Sequence, residues 1–131
     1  KGLDVKFNTN YDEILPSHQA YLMVDILKDI VKKGTGRNAK MKNIEVAGKT
    51  GTTNEFRDAW WCGFTPDTTT IVWYGNDDNT PIGPKMSGGR VSAPVFKKFY
   101  NNYLKIHPEL KREFDIPKGI KYFDIDGKKE V

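Results

Sequence analysis

Residues 46–56 read Val46-Ala47-Gly48-Lys49-Thr50-Gly51-Thr52-Thr53-Asn54-Glu55-Phe56. Gly48-Lys49-Thr50 invites comparison with a phosphate-binding loop, G-x-x-x-x-G-K-[ST], whose backbone N–H groups wrap phosphates between a strand and a helix. Asn43 stands where that loop needs its first glycine, and Ile44-Glu45-Val46-Ala47 contains no loop-forming residue. Gly51-Thr52-Thr53 then joins a helix breaker to two β-branched residues, so no helix follows. The stretch reads as a strand carrying Lys49-Thr50-Gly51.

Working outward, the segment before this strand predicts a helix over about 17–33. Pro16 and Ser17 open it, and Ala20, Met23, Val24, Leu27, Ile30 and Val31 recur at spacings of three and four as a core-facing stripe. Lys32 and Lys33 suit the negative end of the helix dipole, and Gly34-Thr35-Gly36 terminates it. After the strand, Asn54 to Arg57 form a turn and Ala59 to Phe64 an aromatic-rich second strand. Thr65-Pro66-Asp67 is a tight turn, and Thr68 to Tyr74 reads as a third strand. Such short connections favour antiparallel neighbours, so the three strands form a meander. Asp77 to Gly89 reads as a loop. Ser92 is placed to cap a second helix, with Pro94 in its first turn, Val95, Phe96, Phe99, Tyr100 and Tyr103 on the packed side, and His107-Pro108 at its end. Val5 and Phe7 alternate as in a short extended piece, and Asp126-Gly127 suggests a small terminal hairpin.

The expected fold class is therefore α+β, an antiparallel meander packed against helices at about 17–33 and 93–106. The main unit is expected to span 1–107, with 108–131 a polar extension. The chain has 131 residues, 37% of them hydrophobic, and a formal net charge of +4 without blocks of like charge, so acidic partners are only weakly indicated. The single cysteine, Cys62, makes no intrachain disulfide and fits no zinc spacing. Alternation puts it on one strand side with Trp60 and Phe64, where a small buried hydrophobe is expected. No apolar run approaches bilayer-spanning length and no signal peptide is seen, so any export signal or anchor is expected outside this chain.

Gly34-Thr35-Gly36, Val46 to Thr53, Asp58-Ala59-Trp60-Trp61, Gly63-Phe64-Thr65-Pro66 and Trp73-Tyr74-Gly75 together resemble the C-terminal part of the transpeptidase domain of class A (bifunctional) penicillin-binding proteins. The resemblance runs from about Tyr21 to Tyr103. It implies a fragment of the penicillin-binding/serine β-lactamase-like fold, in a D,D-transpeptidase that cross-links peptidoglycan stem peptides in the cell wall through a serine acyl-enzyme and is acylated by β-lactam antibiotics. It also implies a periplasmic or extracytoplasmic location, with a membrane anchor outside this chain, and needs neither cofactor nor metal. By the same resemblance Lys49 sets the electrostatics of the cleft, and Thr50 and Thr52 hydroxyls bind a carboxylate. The Thr52 backbone N–H is one oxyanion-hole donor, and Gly51 and Thr53 belong to the substrate-binding strand. The physical logic is independent of the family. A lysine beside threonine hydroxyls offers a carboxylate charge and hydrogen bonds, and a glycine lets a peptide backbone approach as an added strand.

The other motifs of that family are absent. Ser17, Ser87 and Ser92 are followed at the S-x-x-K spacing by Ala20, Arg90 and Val95, and at the S-x-N spacing by Gln19, Gly89 and Pro94. The expectation is a chain inactive alone, whose partner is the missing upstream half of the same domain. His18 and His107 sit at helix ends without metal-ligand spacing, Asp58 is expected to fix a turn or pair with Arg57, and Asp77-Asp78 reads as a solvated turn. A different class of function, a single-stranded nucleic-acid binder stacking bases on Trp60, Trp61, Trp73 and Tyr74, is disfavoured. No basic residue lies between Ala59 and Asn79, and aromatics on both strand faces suit core strands between helices.

Overall fold

The structure, a computed structural model, describes residues 12–125 and 128–130. Helix α1 runs Ser17–Lys33, its first free N–H groups, those of Gln19 and Ala20, donating to Pro16 O. Gly34 N–H and Gly36 N–H both return to Ile30 O, which stops the helix where two glycines permit the turn. Lys33 and Lys32 each pair with Asp29, at 2.7 and 3.5 Å.

The meander is as expected. Strands β1 (Ala47–Thr52), β2 (Asp58–Phe64) and β3 (Thr69–Gly75) form one antiparallel sheet in that order. Lys49 lies opposite Cys62 and Cys62 opposite Ile71, while Gly51, Trp60 and Trp73 form the neighbouring rung. Directly paired residues share a face, so these six define one side of the sheet. Thr50, Trp61 and Val72 define the other.

Helix α2 (Ser92–Ile106) packs on the Trp61 side. There Val31, Ala39, Met41, Ile44, Val46, Trp61, Ala93, Phe96 and Tyr100 form one buried cluster, with the Trp61 and Phe96 ring centroids 5.5 Å apart. Burial of Phe96 alone is worth about 1.5–3 kcal/mol. The Tyr100 hydroxyl is satisfied inside this core by Thr65 Oγ1 at 2.5 Å.

Five expectations are corrected. The sheet is covered on one face rather than two among the described residues, so Ile71 (62% exposed), Trp73 (45%) and Trp60 (37%) face outward. Cys62 stands in that open row and is exposed, not buried, because alternation puts Ala59, Trp61 and Gly63 inward instead. On α1 the buried positions are Tyr21, Lys28 and Val31, with Met23 outside. The Lys28 stem lies along the core while its ammonium pairs with Glu45 at 2.5 Å, which is how a charged residue takes an inward position. Ser92 does not cap α2. It lies within the first turn and donates to Ala59 O at 2.7 Å, and the helix start is served by Gly88 O, which accepts from Ser92 N–H and Ala93 N–H. Val95 and Phe99, expected on the packed side of α2, are half-exposed, whereas Phe96 and Tyr100 are buried.

The segment after α2 returns along the main unit. Glu45 N–H donates to Arg112 O, Phe114 N–H donates to the Glu45 carboxylate, Lys111 N–H to Asp67, and the Phe114 ring meets Phe64 edge-on at 5.6 Å. Strands β4 (Phe123–Ile125) and β5 (Lys128–Glu130) pair antiparallel, giving the expected hairpin. Its Asp126-Gly127 tip, and the Val5–Phe7 piece, lie outside the described residues.

Candidate active site

Among the described residues β1 is an edge strand, so one side of its backbone pairs with β2 and the other is open. Thr53 N–H donates to Asp58 O as the chain turns toward β2. Backbone groups alternate in direction along a strand, so Thr52 and Thr50 direct theirs to the open edge. Lys49 Nζ curls around this edge and donates to Thr50 O at 2.9 Å and Thr50 Oγ1 at 3.3 Å. It is exposed, and among the described residues no carboxylate stands within ion-pair distance.

Two elements distant in sequence complete the edge. Thr35, in the turn after α1, accepts a 2.8 Å hydrogen bond from Thr50 Oγ1. Gly88, in the loop before α2, donates its N–H to Thr52 Oγ1 at 3.0 Å. A Cβ on Gly88 would stand 2.1 Å from Trp60 O and 2.5 Å from Gly51 O, so only glycine lets the loop lie this close to the sheet. Asn38 Nδ2 ties the next residue of that loop, Gly89 O, at 2.7 Å. Thr35, Arg37, Asn38, Thr50, Thr52, Ser87, Gly89 and Arg90 line an open cavity of about 570 Å³ with two cations and, among the described residues, no carboxylate on its wall.

The structure thus brings Lys49, Thr50 and Thr52 together, and separates two residues of the expected set. Gly51 shares the outer face with Lys49, away from Thr50 and Thr52, and an added Cβ there would press on Trp60 Cβ at 3.1 Å, so its lack of a side chain also serves sheet packing. Thr53 Oγ1 donates to the Asp58 carboxylate at 3.3 Å and accepts Asp58 N–H at 2.7 Å, and it lines a different cavity, beside Asn54, Arg57 and Asn79.

Asp58 also accepts from Trp73 Nε1 at 2.9 Å; it is the structural residue expected, held by Thr53 and Trp73 rather than by Arg57. Arg57 pairs with Glu55 and with Asn79 O. Asp78 accepts from Thr80 Oγ1 and Thr80 N–H, and those bonds hold its carboxyl below the usual range. His107 pairs with Glu109 against the Tyr103 ring. Of the three serines, Ser92 is buried against Ala59 O, and Ser87 lines the cavity with no lysine or histidine among the described residues on its wall.

The contacts of Thr35 and Gly88 with β1 are not foreseen from the sequence. Gly34-Thr35-Gly36 reads locally as a helix stop and Gly88-Gly89 as loop, and nothing adjacent in sequence says that both meet β1.

The chain is similar to known proteins in sequence and in fold. Residues 11–101 match the family described as penicillin binding protein transpeptidase domain. The chain is 39% identical over 106 residues to penicillin-binding protein 1A of Aquifex aeolicus, covering 81% of this chain and 14% of that protein. It is likewise 39% identical over 101 residues to penicillin-binding protein 1A of Pseudomonas aeruginosa, covering 76% and 12%. The crystal structure of penicillin-binding protein 1A from Haemophilus influenzae superposes with a TM-score of 0.73 at 27% identity, over 86% of this chain and 18% of that one. The chain therefore spans roughly an eighth of the length of the curated relatives it matches.

Proposed function

Because this chain belongs to the penicillin-binding protein transpeptidase family, we propose that it supplies the Lys49-Thr50-Gly51 edge strand of a serine D,D-transpeptidase site whose nucleophile lies in a part of the domain outside the chain. The reaction is acyl transfer between peptidoglycan stem peptides. A serine oxygen attacks the carbonyl of the terminal peptide bond, the terminal residue leaves as an amine that takes up a proton, and an ester to serine remains. The amine of a second stem peptide then attacks the ester, a new amide forms, and the serine recovers its proton. A β-lactam enters by the same first step, but its ring amide opens without a departing fragment and the ester persists.

In this reading the open edge of β1 receives the donor peptide as an added strand. The Thr52 N–H, directed to that edge by alternation from Thr53, donates to the oxygen that becomes negative during attack. Lys49 contributes positive charge to the peptide carboxylate and the cleft, and Thr50 and Thr52 contribute hydroxyls. Thr53 anchors the end of the strand through Asp58. The single observation carrying the reading is Lys49 Nζ on the open edge, bonded to Thr50 O and without a carboxylate partner among the described residues. The site works in the periplasmic or extracytoplasmic space where the stem peptides are.

The test is the second-order acylation rate by a fluorescent penicillin in the full-length transpeptidase, with thermal melts alongside. Lys49→Ala should melt normally and acylate about 10²–10³-fold more slowly. Lys49→Arg should recover part of that loss, since it keeps charge but not shape. This chain alone should take no covalent label, and a stoichiometric adduct on it, or wild-type acylation by a folded Lys49→Ala protein, would overturn the proposal.

A further inference from the structure

Lys49 Nζ donates to Thr50 Oγ1 at 3.3 Å, and Thr50 Oγ1 donates to Thr35 Oγ1 at 2.8 Å. A hydroxyl carries one proton, so the Thr50 proton is already directed at Thr35 and is not available to an incoming anion. Thr35 accepts that bond, leaving its own proton free to point elsewhere. Thr52 is in the same condition, because its oxygen accepts Gly88 N–H and its proton is uncommitted. Thr35 is exposed and lines the same cavity as Thr50 and Thr52, whose wall holds Arg37 and Arg90 and, among the described residues, no acidic group. A cavity with two available hydroxyl protons and only positive charge on its wall suits a carboxylate.

We infer that Thr35 is a further substrate-binding residue, donating its hydroxyl to the terminal carboxylate of the donor peptide or the carboxylate of a β-lactam, while Thr50 orients it by passing on the polarising influence of Lys49. This rests on the proposed function and refines it, because it moves one carboxylate-binding hydroxyl from β1 to the turn after α1. Hydrogen bonds in such a series polarise one another, so the Thr35 proton is more acidic toward an anion than that of an isolated hydroxyl.

The experiment compares Thr35→Val, which keeps the branched shape without the hydroxyl, with Thr35→Ser, which keeps the hydroxyl. Both are made in the full-length transpeptidase and assayed with a penicillin and with its methyl ester, which lacks the negative charge. Loss of a hydrogen bond to a charged group corresponds to about tenfold or more. Thr35→Val should therefore lower the penicillin acylation rate at least about tenfold, leave the ester rate within about twofold, and melt normally; Thr35→Ser should acylate like wild type. Equal losses with penicillin and ester would mean that Thr35 only braces β1, and no loss with either would mean it takes no part; both overturn the inference. Lys49→Ala assayed in parallel separates the two levels. If Lys49→Ala is impaired and Thr35→Val is not, the inference alone fails; if neither is impaired, the reading of the strand fails with it.

Discussion

Ser92 Oγ donates a 2.7 Å hydrogen bond to Ala59 O, and both residues are fully buried. The bond joins the first turn of α2 to the middle strand of the sheet. It fixes the helix against β2 and, through the preceding residues, holds the Gly88 loop over β1. Removing the hydroxyl leaves a buried carbonyl short of a partner. Ser92→Ala should thus destabilise the chain by about 1–3 kcal/mol, read by urea denaturation with an unchanged m-value. A shift below about 0.5 kcal/mol, the ordinary range of surface changes, would show that the bond adds nothing.

Gly88→Ala should be worse tolerated than its place in a loop suggests, since Gly88 is buried. The new Cβ would meet Trp60 O at 2.1 Å, and the displaced backbone would lose its bonds to Thr52 Oγ1, Ser92 N–H and Ala93 N–H together. Destabilisation of about 2–3 kcal/mol is expected, measured by thermal and urea unfolding. A variant as stable as wild type would mean the loop does not lie on the sheet.

Cys62 belongs to the open row with Lys49 and Ile71. In this chain it should react with a thiol reagent under native conditions at a rate within about tenfold of that in denaturant, since access is not limited by unfolding. Protection by several orders of magnitude would instead place another layer over this face.

Asp29 offers a pH signature. The hydrogen bond from Lys33 is the largest influence holding its carboxyl below the usual range, with Lys32 adding to it. A carboxylate whose folded value is depressed adds stability above its unfolded value, about 3.9, and loses it as pH falls through the folded value. Asp29→Asn should therefore cost about 0.3–0.5 kcal/mol near neutral pH, with the difference from wild type closing below about pH 4. Urea titrations at several pH values measure it, and a difference constant down to strongly acid pH would assign the effect to helix propensity instead.

The sequence by itself determined what depends on neighbours along the chain. The α1 limits, the β1–β2–β3 meander and the end of α2 at His107 follow from periodicity, β-branched and aromatic runs, and glycine and proline punctuation, all of which act within a few residues. Lys49-Thr50-Gly51 was legible for the same reason, as a short motif on one strand. Which side of each element faces inward was not. Met23 and Phe99 are apolar enough for a core but are exposed, and Cys62 is small enough to be buried but stands outside, because their orientation depends on which face of the sheet α1 and α2 cover. Only the tertiary structure set Thr35 beside Thr50 and Gly88 beside Thr52. Those pairs are separated by 15 and 36 residues, and no local propensity encodes a hydrogen bond across such a distance. They arise when burial of Trp61, Phe96 and Tyr100 brings the α1 turn and the α2 loop to one edge of the sheet.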